Sequence, residues 1–257
     1  MKMPVLFVGH GNPMNAIERN DFSRSWNELG RDLPKPKAVL CISAHWETRG
    51  VYVTTTERPE TIHDFYGFPK ALFDVQYPAP GDPRLAQRVA GLISTVKVRP
   101  DAGRGLDHGA WSVLVAMYPA ADIPVVQLSL DTSHPGQFHY ALARELAPLR
   151  DEGVLIFGSG NMVHNLGLFS FHDSRPLPWA SECDATLRQR ILAREHPALM
   201  DYDTLGPDAR LAVPTPEHYF PLLYPLALQE AAEPASFFNE RVISAISMTS
   251  VLIGAPA

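Results

Sequence analysis

Three histidines stand where short apolar runs stop: His10 after Val5–Val8, His45 after Ala38–Ile42 and His164 after Val154–Phe157. A fourth, His218, falls in Pro214-Thr215-Pro216-Glu217-His218-Tyr219, where a proline turn enters a helical pattern. A fifth, His108, lies in the loop Gly105-Leu106-Asp107-His108-Gly109. Imidazole is a good ligand for iron, zinc, copper and nickel. A site that binds a substrate and a second reactant needs about three protein ligands and open positions, whereas a structural zinc is closed by four. Any one of these histidines alone is more often a hydrogen-bonded loop residue than a ligand. Their coincidence at strand ends carries the reading. His63, in Thr61-Ile62-His63-Asp64-Phe65, is an intermediate case. His134, His139, His172 and His196 read as surface or capping residues.

The elements that would position them alternate. Apolar runs at Val5–Val8, Ala38–Ile42, Val51–Thr55, Val125–Leu130 and Val154–Phe157 are short and lack period-two alternation. That pattern suits strands covered on both faces. Helical spacing occurs between them, at Phe22–Leu33, Pro83–Ser94, Ala110–Met117, Gly136–Leu149, Ser181–His196 and Glu217–Leu228, with a closing strand region at Val242–Ile253. The expectation is an α/β fold, a single domain with a mostly parallel central sheet and helices on both faces. In such a sheet, residues far apart in sequence converge at the carboxyl ends of the strands. No internal repeat or linker divides residues 1–257.

Composition excludes several classes. The 257 residues carry a net charge of −6 and no long Lys/Arg run, so no nucleic-acid partner is expected. No apolar stretch approaches a membrane span. The N-terminal residues enter a strand pattern at once, leaving no room for a signal peptide, and a cytoplasmic location is the simplest expectation. The two cysteines, Cys41 and Cys183, sit in unlike settings and do not suggest a disulfide or a thiolate zinc site. A dinucleotide fingerprint fails at Met14, and a nucleophile elbow fails at Phe157 and Asn161.

Taken together, Gly9-His10-Gly11-Asn12-Pro13-Met14, Ser43-Ala44-His45-Trp46, Thr61-Ile62-His63-Asp64-Phe65, Asp107-His108-Gly109, Gly158-Ser159-Gly160-Asn161-Met162-Val163-His164-Asn165 and Thr215-Pro216-Glu217-His218-Tyr219 resemble the DOPA 4,5-dioxygenase group of the class III extradiol dioxygenases. The protocatechuate 4,5-dioxygenase catalytic subunit belongs to the same class. The resemblance implies a non-haem Fe(II) needed for activity, with Zn(II) captured on purification. It implies metal ligation by His10 and His45, with Glu217 or His218 as third ligand and the pattern of the group favouring His218. It implies acid–base catalysis by His164, with His108 also placed in the catalytic pocket and His63 at the substrate. The implied reactants are a small catechol and dioxygen, and the product a ring-opened semialdehyde. A zinc hydrolase on a similar frame, or a metal-binding module without oxygen chemistry, are the alternatives. The aromatic stretch Thr61–Pro80 suits a slot for one ring. The lack of a basic cluster near the motifs favours a side-chain-bearing catechol such as DOPA over protocatechuate. The oligomeric state is not readable.

Overall fold

The computed structural model describes residues 2–254. Its centre is an eight-stranded sheet. The strands are β1 (Val5–Gly9), β2 (Ala38–Glu47), β3 (Val51–Thr54), β4 (Val98–Asp101), β5 (Val125–Leu130), β6 (Val154–Gly160) and β7 (Ala235–Phe238); β8 (Val242–Ile243) and β9 (Ile246–Ser247) form a separate small hairpin, and β10 (Ser250–Ile253) returns to the main sheet. The order is β4-β3-β5-β2-β6-β1-β10-β7. The central pairings β5–β2, β2–β6 and β6–β1 are parallel, as is β3–β4. Within this sheet, antiparallel pairing occurs at β3–β5 and along the β1–β10–β7 edge.

The unbroken apolar runs result from this topology. Successive side chains of a strand point to opposite faces, and here both faces are buried. Val5, Phe7, Leu40, Ile42 and Ile156 enter one core, and Leu6, Val8, Val39, Cys41, Leu155 and Phe157 enter the other. The first core is covered by the helices Pro83–Leu92, Gly136–Glu145, Pro178–Leu192 and Phe220–Ala227, through residues such as Val89, Leu142, Leu187 and Leu222. The second is covered by Asp21–Asp32 and His108–Met117, through Trp26, Trp111 and Leu114. Each fully buried Leu, Ile or Phe contributes about 1.5–3 kcal/mol, so the parallel strands are the best-anchored part of the molecule.

Several boundaries differ from the sequence reading. The strand over Ala38–Ile42 continues to Glu47, so His45 lies inside β2 instead of beyond its end. A register shift against β5 falls between Ile42 and Glu47, and bends this end of the strand. The helix expected over Gly136–Leu149 stops at Glu145, and Pro148 starts a separate turn of helix. Strand β7 has no signal in the sequence, because Ala235–Phe238 is short and half-exposed at the sheet edge.

Candidate metal centre

Strands β1, β2 and β6 run parallel and in step: Gly9 pairs with Gly160, and Ser43 with Ser159. Their carboxyl ends therefore deliver His10, His45 and the segment after Gly160 to one rim. His10 comes directly after β1 and its N–H donates to the Gly160 carbonyl at 3.0 Å. His164 lies four residues beyond β6, held by its N–H on the Ala212 carbonyl at 2.8 Å and by a bridge to Ile246. His218 precedes the helix Phe220–Ala227, and its carbonyl accepts from Asn161 N–H at 2.9 Å. Gly160 has no room for a side chain, because a Cβ there would run into that carbonyl.

His108 opens the helix His108–Met117, and Asp107 caps it. The fully buried Asp107 carboxylate also accepts from Ser43 Oγ at 2.6 Å, Gln127 Nε2 at 2.8 Å and Arg104 Nη2 at 3.2 Å. A buried carboxylate is stable only when so satisfied, and its placement at a helix N-terminus adds to that. Through this network the helix that carries His108 is tied to the strand that carries His45.

The rings converge. The His10, His45 and His218 centroids are 5.0 Å, 5.4 Å and 5.0 Å apart as His10–His45, His10–His218 and His45–His218. One nitrogen from each falls within 4.8 Å of the others. His45 Nε2 and His10 Nε2 are 3.1 Å apart. Two neighbouring imidazole ligands at bond lengths of about 2.0–2.1 Å would have their nitrogens roughly 3 Å apart, so this spacing fits a shared ion. The outward nitrogens are occupied: His10 Nδ1 by Ser159 Oγ at 3.0 Å, and His218 Nδ1 by Glu217 Oε1 at 3.0 Å. Such outer partners fix the ring orientation and leave the other nitrogen for a metal. His45 Nδ1 faces Asp64 Oδ2 more loosely, at 3.8 Å.

Burial, reinforced by the neighbouring imidazoles, holds the His10 and His218 pKa values well below the ordinary histidine value. His45 is pushed down to about 4, by burial first and then by His108. His164 is also pushed down to about 4, by burial. Neutral imidazole is the form that binds metal. At neutral pH the contacts of His45 with Asp64 and of His218 with Glu217 are thus hydrogen-bond or dipolar contacts, not ion pairs.

Two other donor sets overlap this one, His45–Asp64–His108 and His164–Glu217–His218. In both, the carboxylate sits on the outer side of a histidine. Glu217 is absent from the three-histidine set. His164 stacks on His218, and His108 lies 3.8 Å from His45, centroid to centroid. His63 stands one layer out. Its Nε2 engages the Val75 carbonyl at 3.0 Å, and its ring packs on Phe65, Phe73 and Trp111. Phe65 in turn meets His108 edge-on at 5.5 Å. Of the other aromatics in that stretch, Tyr77 is buried with its hydroxyl on the Tyr118 carbonyl, and Tyr66 is exposed. A basic group does adjoin the site: Arg104 Nη2 donates to Asp107 and to the His45 carbonyl at 3.0 Å, and its buried Nε has no partner among the described residues.

One expectation outside the site fails. His139 is not a surface residue: it is fully buried, between the Tyr224 hydroxyl and the Asp131 carbonyl, both at 3.2 Å. Asp64 is the site residue that the sequence reading does not single out.

A mixed α/β sheet with a buried cluster of neutral histidines at its carboxyl rim has the architecture and donor set of a mononuclear metal enzyme. Residues 4–250 match the family described as the catalytic LigB subunit of aromatic ring-opening dioxygenase, and the chain belongs to that family. It is 48% identical to a 4,5-DOPA dioxygenase extradiol of Escherichia coli (strain K12), over 98% of this chain and 95% of that protein. It is 43% identical to a protein of the same name from Beta vulgaris, over 84% of this chain and 83% of that one. The crystal structure of an uncharacterized protein from Escherichia coli K12 superposes with a TM-score of 0.87 at 44% identity, over 98% of this chain and 100% of the other. The family match favours a ring-opening dioxygenase over the hydrolase and module readings. Among the described residues no helix is long and apolar enough to cross a membrane.

Proposed function

We propose that this chain opens the ring of a catechol next to the diol, with both oxygen atoms of dioxygen entering the product, and that its substrate carries a side chain, as DOPA does. His10, His45 and His218 hold the metal. The observation that carries this is the convergence of their three nitrogens within 4.8 Å, with the outer nitrogens of His10 and His218 already engaged. The metal in the active enzyme is Fe(II), and zinc occupies the same ligands after purification in air. The bound metal supplies Lewis acidity that lowers the pKa of the catechol hydroxyls and the redox chemistry toward dioxygen.

The side chains do the rest. Burial keeps His164 neutral at pH 7, and an unprotonated imidazole has a lone pair that can take a catechol proton and later return it. Its ring makes no hydrogen bond among the described residues, so it is open to substrate. His108 packs against His45. With Nδ1 on Asp64, it presents Nε2 as a second proton-handling atom. Phe65 and the His63 layer behind it form an apolar wall for the ring.

The test is anaerobic loading with Fe(II), then oxygen-electrode measurements on a catechol panel. Uptake of about one dioxygen per catechol, with a yellow ring-opened product, is the expected result. No uptake at full Fe(II) occupancy overturns the proposal.

A further inference from the structure

Asp64 spans two histidines of the site without being a ligand or a proton-transfer group in the proposed reaction. Its Oδ1 accepts twice from the same residue, from His108 N–H at 3.0 Å and from His108 Nδ1 at 2.9 Å. Its Oδ2 stands 3.8 Å from His45 Nδ1. One carboxylate thus faces two imidazoles whose centroids are 3.8 Å apart. An ionised carboxylate accepts hydrogen bonds and donates none. His108 Nδ1, within hydrogen-bond distance of it, must therefore carry its proton, while His45 Nδ1 at 3.8 Å feels only its charge. His108 is then fixed as the Nδ1–H tautomer with a bare Nε2, and His45 is biased the same way. His45 Nε2 is the atom that points at His10 Nε2. Without the carboxylate, the neutral His108 ring has no hydrogen bond to hold one tautomer, and with its proton on Nε2 it could not accept a substrate proton at that atom.

The carboxylate also ties a loop to the site. Thr61 bridges to Leu106, Trp111 Nε1 donates to the Ile62 carbonyl at 2.8 Å, and Phe65 packs on His108. The segment that delivers Asp64 therefore delivers the aromatic wall in the same movement.

We infer that Asp64 is a positioning residue that sets the tautomer of His108, so that one carboxylate beside the metal ligand His45 readies Nε2 of His108 as a proton-handling atom. The inference rests on the ring-opening reading for its catalytic consequence, but not for the tautomer itself.

The test uses the full chain with isotope-labelled histidines, loaded with Zn(II) because that ion is diamagnetic, and reads each ring by nitrogen NMR. His108 should show Nδ1–H and a bare Nε2, and Asp64→Asn should populate both tautomers of His108. Wild-type His108 found with its proton on Nε2 overturns the inference, even if Asp64→Asn does not fold. In the Fe(II)-loaded enzyme, Asp64→Asn should lower kcat by about 10–100-fold, the usual cost of losing an outer partner, with KM changed less than about twofold and metal stoichiometry restored by loading. Wild-type kcat and an unchanged His108 tautomer in that variant also overturn it. If wild-type enzyme takes up no dioxygen with any catechol, the ring-opening reading fails while the NMR result still decides the role of Asp64.

Discussion

His164 lies flat on His218, with ring centroids 3.5 Å apart and only 11° between the planes. Two imidazoles in that contact do not both become cations, since like charges at such a distance in a low-dielectric site repel strongly. A stacked neutral pair leaves the edges of the upper ring free while the lower ring is anchored by Glu217. Under the proposed roles, this geometry separates the proton-handling group from the ligand it rests on. His164→Gln should therefore keep bound metal near the wild-type level while turnover falls by about 10²–10⁴-fold. Metal analysis beside an oxygen-uptake assay measures both. Loss of metal in step with activity would make His164 a ligand.

The parts of this site that are legible in the sequence are those set by chain direction. Val5–Val8 and Val154–Phe157 read as strands because both faces are covered, and parallel strands bring the segments after their carboxyl ends to one rim. His45 reads as lying beyond its strand, because Ser43 and Ala44 look like the end of one. Ser43 is in fact buried on Asp107. Asp64 and His139 are not legible, since their meaning depends on partners 44 and 85 residues away. A histidine among the apolar residues of a helix carries no mark in the sequence that a distant tyrosine hydroxyl awaits it.

Gly109 provides a steric test of the metal set. A Cβ at this position would press on Ser43 Oγ and lie 2.9 Å from His45 Cδ2. Gly109→Ala gains up to about 1 kcal/mol of helix propensity but loses about 1–3 kcal/mol to overpacking. The fold should survive with a slightly lower Tm. Metal affinity should fall by at least about tenfold, because the ring that moves is His45. Chelator competition reads this directly, and an unchanged affinity would mean that His45 does not need its observed position.

Acid sensitivity should have a component remote from the metal. Burial pushes the His139 pKa down to about 4 from an ordinary 6.5. The folded state then binds fewer protons than the unfolded state between those values. His139 contributes stability that is fully present above pH 6.5 and is lost as pH falls toward 4. Between pH 7.5 and 5 the loss is about 2 kcal/mol. His139→Phe cannot titrate, so its denaturation midpoint should fall less over that range than that of the wild type. Comparison of the two slopes cancels the protonation of the metal-site histidines. Equal slopes would mean that His139 is not held neutral.

The aromatic wall beside His108 provides a test of the proposed substrate. Phe65 makes edge contact with His108 at 5.5 Å and packs on Phe68, Phe73 and Trp111. An aromatic contact of this type is worth about 0.5–1.5 kcal/mol beyond the area it buries. Phe65→Ala should thus raise KM for a catechol about tenfold, with a smaller change in kcat, since the wall holds the ring without touching its protons. The charge pattern predicts a preference as well. A ring carboxylate placed near this site would look for a guanidinium, and Arg104 already gives its Nη2 to Asp107 and the His45 carbonyl, with its buried Nε unpaired among the described residues. Breaking that pair would leave the buried Asp107 short of a partner, at a cost of about 1–3 kcal/mol or more. Protocatechuate should accordingly be the poorer substrate, and L-DOPA, whose charges lie on a flexible side chain away from the ring, the better one. Measurement of kcat/KM for L-DOPA, caffeate and protocatechuate on the Fe(II) enzyme decides this. A clear preference for protocatechuate would show that Arg104, or another cation, is released to meet the ring carboxylate, and would leave the ring-opening chemistry intact.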